Sequence, residues 1–462
     1  MRILLVIYDN GAYIHYFPQG LAYIAAVLSQ NGHYVEIYNQ DTFHYTEEHL
    51  KEYVEKNDFD VIGVSVIAGY YQYRKLLKIS NVINALRKRP FYIIGGHGPT
   101  PEPEFFLLKT QADAVVMGEG ELTIIELLNA LKNKTTFSGI QGIAYREGKK
   151  VVINQRRTLI QNIDSIPFPA FDLFPIDHYR LLRMPYALNS DFVMPVLSGR
   201  GCNFKCNFCY RMDEGLRIRS NANIIEEIRL LNKDYRINYI IFTDELLMTS
   251  PERTINLCHD FLKKKLHIKW SCCGRLNFAK PEVLRLMKKS GCVFINYGIE
   301  AMDNRILKNM NKVLTTEQIT KGIEATLEAG ISPGYNIIFG NIGENKETLL
   351  KDVEFLLKYD DCSQMRTIRP VTPYPGSPLY YYAIEKGLLK DCEDFYENKH
   401  INSDLLAVNF TELTDEDFHF SLLEANTLLL KNYFSKKCNA MISEAENLYL
   451  KKNKDFRGFR QT

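Results

Sequence analysis

The stretch Ser198-Gly199-Arg200-Gly201-Cys202-Asn203-Phe204-Lys205-Cys206-Asn207-Phe208-Cys209-Tyr210 decides how the rest of the chain is read. Its three cysteines stand at C-x3-C-x2-C spacing in a run of small and polar residues that predicts a loop. Thiolates this close in sequence converge readily on one iron–sulfur cluster, for which Cys is the standard ligand. Three ligands on a four-iron cube leave one iron open to an outside ligand, which suits a catalytic cluster rather than an electron carrier. A zinc knuckle is the competing reading. Zinc closes with a fourth Cys or His at short spacing, and the nearest later candidates, Cys258 and His259, are far downstream.

Upstream, apolar β-rich runs alternate with helix-period segments. Strands are expected at 3–8, 34–38, 61–67, 91–94 and 112–117, with helices at 18–31, 47–56, 70–87 and 122–131. Near-continuous apolar strands separated by helices mean a parallel sheet covered on both faces. Ligands of such sheets bind beyond the carboxyl ends of the strands. The loops there hold Asp9-Asn10-Gly11, Ser65–Tyr70, Gly95-Gly96-His97-Gly98-Pro99 and Gly118-Glu119-Gly120-Glu121. No GxGxxG follows the first strand and no Walker A motif is present, so a dinucleotide or ATP site is a poor reading.

A β-hairpin is expected around Arg146-Glu147-Gly148-Lys149-Lys150, followed by the Pro- and aromatic-rich run Ile166–Pro175. Closely spaced prolines exclude a regular helix there, and the run reads as a strap between two domains. Beyond the cysteines the alternation resumes, with strands at 239–242, 267–271, 293–297, 332–339 and 365–370. Polar residues recur where these strands end, which is where barrel folds gather their working groups. The adjacent Cys272 and Cys273 read as small buried hydrophobes. From about residue 379 the pattern turns helical, with helices expected at 379–386, 414–433 and 440–452.

The cysteine spacing, with an aromatic residue before the last Cys, resembles the radical S-adenosylmethionine (radical SAM) superfamily. The upstream combination of Pro18-Gln19-Gly20-Leu21, Gly32-His33, Gly95-Gly96 and Gly118-Glu119-Gly120-Glu121 resembles the cobalamin-binding domain fused ahead of many such enzymes. The resemblance implies an α/β chain with four parts. A flavodoxin-like, Rossmann-type parallel-sheet domain covers 1–138, a hairpin and Pro-rich connector 139–190, a partial (β/α)6 TIM-type barrel 191–380 and a small helical segment 381–462.

It further implies a [4Fe–4S] cluster on Cys202, Cys206 and Cys209, with SAM chelating the open iron. SAM would be bound by Phe208, Thr243, Asp244, Glu245, Arg275, Glu300, Asn336 and Gly340, and cobalamin by Asp9, Gln19, Gly20, Ser65, Gly95, Gly96, Gly118 and Glu119. The Asp-x-His-x-x-Gly motif of methionine-synthase-like B12 domains is missing. The loop reads Asp9-Asn10-Gly11-Ala12-Tyr13-Ile14-His15, so cobalamin is expected without a His ligand from the protein, and His15 as a loop residue. The implied reaction is methylation of an unactivated carbon through a 5′-deoxyadenosyl radical and methylcobalamin. Ring formation or rearrangement without methyl transfer is the alternative, as is a first domain that serves only as scaffold.

Bulk properties fit this picture. At 462 residues, 46% hydrophobic and 24% charged, the chain has the makings of two or three globular domains. A net charge of +2 gives no footprint for nucleic acid. Ten cysteines, mostly scattered, do not make a disulfide framework, so a reducing, cytoplasmic setting is expected. No run is long enough to span a bilayer. The partners expected are a small-molecule or peptide substrate and an electron donor such as flavodoxin or ferredoxin.

Overall fold

A computed structural model describes residues 1–11, 16–212 and 214–455; His15 lies outside the described residues. Two parallel sheets dominate. The first is seven-stranded, with β1 (Arg2–Ile7), β2 (Tyr34–Asn39), β3 (Val61–Ser65), β4 (Phe91–Gly95), β5 (Ala114–Val116), β6 (Ile143–Glu147) and β7 (Lys150–Ile153) in the order β2-β1-β3-β4-β5-β6-β7. Strands β1 to β5 are parallel and follow the flavodoxin-like order, while the hairpin β6–β7 adds antiparallel to the β5 edge. Leu4, Ile62 and Ile94 on one face and Leu5, Val61 and Ile93 on the other are all buried. That two-sided burial is why these strands read as continuous apolar runs.

The second sheet has six parallel strands: β8 (Val193–Val196), β11 (Tyr239–Phe242), β12 (Lys269–Gly274), β13 (Cys292–Glu300), β14 (Ser332–Phe339) and β15 (Arg369–Pro370), hydrogen-bonded in sequence order. With helices between successive strands this is the partial (β/α)6 barrel. Its outer face is packed by Trp270, Tyr297 and Cys272, all buried against helices. Its concave face carries Cys273, Asn296 and Gly334, which stand side by side in the strand register. A short antiparallel ribbon, β9 (Gly199–Arg200) with β10 (Arg217–Ile218), brackets the cysteine loop.

Three expectations need correction. The strand expected at 365–370 is only Arg369–Pro370. Helices expected at 414–433 and 440–452 are one helix, Asp415–Tyr449, capped by the Thr414 side chain. The intervening Phe434–Asn439 breaks the apolar period but holds no Gly or Pro, so nothing stops the helix. The strand expected at 267–271 runs instead over Lys269–Gly274 and includes both Cys272 and Cys273. The long helix covers the open edge of the barrel. Phe418 stacks on Phe339 with ring centroids 4.9 Å apart, and the Asn426 side chain bonds both the N–H and the carbonyl of Ile368 at 2.8 and 3.0 Å.

The connector lies between the sheets. Phe171, Phe174 and Tyr179 surround Phe17 at 5.5, 5.0 and 5.6 Å between ring centroids. Among the described residues no helix is long and apolar enough to cross a membrane.

Candidate functional site

The carboxyl ends of the two sheets face each other across one cleft, with about 1450 Å³ of atom-free space, part of it open to solvent. Gln19, Gly20, Ser65, Gly95, Gly96, Gly118 and Glu119 line it from the first sheet; Arg200, Gly201, Thr243 and Glu245 line it from the second. The cleft runs down between the sheet and its helices as far as Ile3, Leu28, Val61 and Leu128. Small residues keep it open. Gly96 has φ +98° and a Cβ there would meet the Val66 carbonyl at 2.6 Å, a backbone that favours glycine. Asp9 is not drawn into this wall; its carboxylate takes His44 Nδ1 at 3.1 Å and the Gly11 N–H at 2.6 Å.

On the barrel side the Thr243-Asp244-Glu245 run lies in the loop just past β11. Thr243 and Glu245 are exposed to the cleft while Asp244 is buried. Asp244 accepts the backbone N–H groups of Ser198 and Gly199 at 2.6 and 2.9 Å, and the Ser198 hydroxyl. Burial pushes its carboxyl up to about 6, with Arg253 acting in the opposite direction. Asp244 thus splices β11 to the start of the cysteine loop and has no oxygen turned to a ligand. Glu245 accepts the Gly201 N–H at 3.0 Å. Thr243 donates to the Gln19 carboxamide oxygen at 2.8 Å, which joins one residue expected at SAM to one expected at cobalamin.

The cysteine loop is pinned on its far side. Asn207 and Asn341 exchange amide hydrogen bonds at 3.1 and 3.0 Å, and the Asn207 N–H reaches the Met310 carbonyl at 2.9 Å. Cys206 is buried, Cys202 half-buried and Cys209 exposed. Burial pushes the Cys206 thiol up, and Lys312 and Arg275 act to lower it. The Arg275 guanidinium lies 3.5 Å from the centre of the Phe204 ring and donates to the carbonyls of Lys312 and Val313. Lys312 pairs with Glu300 at 2.8 Å and stands 5.9 Å from the Phe208 ring centre. Gly298 makes room for that pair, since a Cβ there would sit 2.3 Å from Glu300 Oε1 and 2.7 Å from Lys312 Nζ.

Asn336 is exposed on the concave face beside Gly298. Gly340 is a turn residue at φ +102° whose N–H goes to Glu344 at 2.6 Å and whose Cα faces Phe418. Cys272 is buried on the outer face, and Cys273 is half-buried on the concave face.

The residues present fit a cluster. The loop supplies three thiols with two cations against them, and an anionic thiolate–iron centre needs such compensation in a low-dielectric setting. Among the described residues no three His, Cys, Asp or Glu side chains stand as a site for a single metal ion; a cube spreads its thiolates wider than one ion does.

Sequence models bear directly on this arrangement. That of the Radical SAM superfamily matches residues 196–356, and that of the B12 binding domain matches residues 10–128. An uncharacterized methyltransferase of Pyrococcus horikoshii is 31% identical over 428 residues, covering 90% of this chain and 87% of the relative. The chain belongs to the radical SAM superfamily.

Membership makes it an enzyme of a [4Fe–4S] cluster and SAM, and the B12-binding match adds cobalamin. The anaerobic magnesium-protoporphyrin IX monomethyl ester cyclase of Rubrivivax gelatinosus is 26% identical, over 86% of this chain and 72% of its own length. Among solved structures, the radical SAM methyltransferase TsrM from Kitasatospora setae, with cobalamin and a [4Fe–4S] cluster bound, has the same fold. It superposes at a TM-score of 0.68 and 18% identity, over 83% of this chain and 75% of TsrM.

Several residues of this radical SAM site escaped the sequence reading. Lys312 and Asn341 are brought in only by tertiary contact. Arg200 and Arg217 both reach Glu119, at 2.8 and 2.7 Å. Burial alone would raise the Glu119 carboxyl, but the two guanidiniums outweigh it and hold it below the usual carboxylate range. These partners stand 81 and 98 residues from Glu119 in sequence.

Proposed function

We propose that the chain is a cobalamin-dependent radical SAM methyltransferase acting on an unactivated carbon of a small molecule. The observation that carries this reading is the single cleft shared by the strand ends of both sheets, bridged by the Gln19–Thr243 hydrogen bond. A cofactor held over Ser65, Gly95, Gly96 and Gly118 and a second held at Thr243 and Glu245 would face the same space, where a substrate carbon can lie between them. When bound, the cluster with SAM supplies a hydrogen-abstracting radical and cobalamin supplies a methyl group.

The protein's own residues bind, orient and shield. Cys202, Cys206 and Cys209 hold the cluster, and Arg275 and Lys312 offset its charge. Glu245 fixes the Gly201 backbone just ahead of the first ligand. The Glu300–Lys312 pair beneath Phe208 gives the nucleoside side a polar floor. Gly96 and Gly118 let backbone approach a bulky planar ligand. The methyltransferase relative from Pyrococcus supports methyl transfer. The cyclase relative supports a second reading, in which the same two cofactors close a ring without methylation.

Anaerobic reconstitution followed by metal analysis and product analysis separates the readings. About four irons and one cobalt per chain are expected, with iron lost in a C202A/C206A/C209A variant. With a strong reductant and substrate, methyl transfer leaves methionine, 5′-deoxyadenosine and S-adenosylhomocysteine and consumes two SAM and two electrons per product. Cyclisation leaves no S-adenosylhomocysteine. Iron without cobalt would refute both readings.

A further inference from the structure

The Glu119 carboxylate, expected at cobalamin, is committed elsewhere. It is 7% exposed and accepts from Arg200 Nη1 at 2.8 Å, from Arg217 Nη1 at 2.7 Å, and from the Ile160 N–H at 3.0 Å. Arg200 also donates to Glu121 at 2.6 Å. These two arginines are no arbitrary pair, because they face each other across the β9–β10 ribbon at the two feet of the cysteine loop. One carboxylate of the first domain therefore ties both ends of the loop of the second.

The tie sits where both ligand sites would feel it. On one side, Gly118 and Gly120 flank Glu119 and border the cleft. Gly120 lies against Ile24, whose Cδ1 would stand 2.9 Å from a Cβ there. On the other side, Arg200 is joined to Gly201, whose N–H is held by Glu245, and Cys202 follows. A displacement of the Gly118–Glu121 loop cannot leave the foot of the cysteine loop in place, because the buried charges would lose their partners.

We propose that Glu119 is a positioning residue that couples the two cofactor sites, so that cobalamin in the first domain strengthens SAM binding at the cluster of the second. The proposal rests on the two-cofactor reading above. Linkage then requires the reciprocal effect, SAM strengthening cobalamin by the same factor. A buried ion pair that served stability alone would set no such ratio.

The test compares SAM dissociation constants of cluster-loaded protein with and without hydroxocobalamin, read from the change SAM makes in the electron paramagnetic resonance spectrum of the reduced cluster. Iron and cobalt uptake by the wild type is measured first, and failure of either refutes the two-cofactor reading itself. Given both, the wild type is expected to bind SAM more tightly with cobalamin present by a factor of about 5 to 150. In E119Q that factor falls towards one, and E119D restores part of it. E121Q, which removes only one contact of Arg200, falls between. Should E119Q not take up its cluster, the factor is read in E119D and E121Q, where it must lie below the wild-type value. A wild-type factor of one, or the full wild-type factor retained in these variants, overturns the proposal.

Discussion

The hydroxyl of Thr243, one residue beyond β11, donates to the side chain of Gln19 at the start of the helix after β1, across 2.8 Å and 224 residues of sequence. Gln19 Nε2 in turn lies 3.5 Å from the Pro195 carbonyl on β8, so one carboxamide touches β8 and the residue just past β11. The bond fixes how the two sets of strand ends face each other. In a double-mutant cycle, Q19A and T243V are expected to show a coupling of about 1 kcal/mol in unfolding free energy. Four denaturation curves measure it, and strictly additive losses would mean that the bond braces nothing.

A side chain at Gly298 is expected to displace the Glu300–Lys312 pair. G298A places a methyl where Glu300 and Lys312 meet, and overpacking of this kind costs about 1–3 kcal/mol. The pair must separate or tilt, so SAM binding should weaken along with thermal stability. A variant that melts with the wild type and binds SAM equally well would show that the pair moves aside freely.

The buried Asp244 carboxyl makes a pH prediction. Its folded value of about 6 lies above the ordinary 3.8, so the native state binds more protons than the unfolded state between those values. Stability from this group is therefore greatest below about 4 and is lost as pH rises through about 6, by about 3 kcal/mol at most. D244N keeps an oxygen for the Ser198 and Gly199 N–H groups. Urea unfolding from pH 4 to 6.5 should show wild type and D244N converging at low pH, with D244N relatively more stable at high pH. A difference that does not change with pH would contradict the burial-driven shift.

Phe418 is fully buried against Phe339 and Gly340. F418A should cost about 3–5 kcal/mol. It should also loosen the turn that carries Asn341, the partner of Asn207 in the cysteine loop. Iron retention on dilution, followed by absorbance, is expected to fall in F418A; iron held as in the wild type would confine the helix to a packing role.

Much of this was legible along the chain. Strand–helix alternation carried the two parallel sheets because burial on both faces leaves short apolar, β-branched runs between helix-period segments. The three cysteines stood out because their spacing is local. What stayed hidden was either a matter of facing or of distance. Thr243, Asp244 and Glu245 read as one polar group at a strand end, and only the partners of Asp244 at Ser198 and Gly199, 46 and 45 residues away, turn the middle one inward. Glu119 read as a ligand contact because its loop is glycine-rich. Its arginines lie 81 and 98 residues further on, and no local pattern reveals such a pairing. The C-terminal helix was cut in two by a polar stretch, where the absence of Gly and Pro was the better guide.

The apolar core offers no seam between the halves. Leu5 of the first sheet and Trp270 of the second belong to one continuous buried cluster, joined through Phe17, Phe171 and Phe174. The boundary between the domains is therefore one of chain order and not of cooperativity. Heated, the two should melt as a single unit rather than in succession. Either half expressed alone would present a greasy, solvent-wetted flank where its neighbour belongs, so this enzyme is poorly suited to being built by exchanging modules.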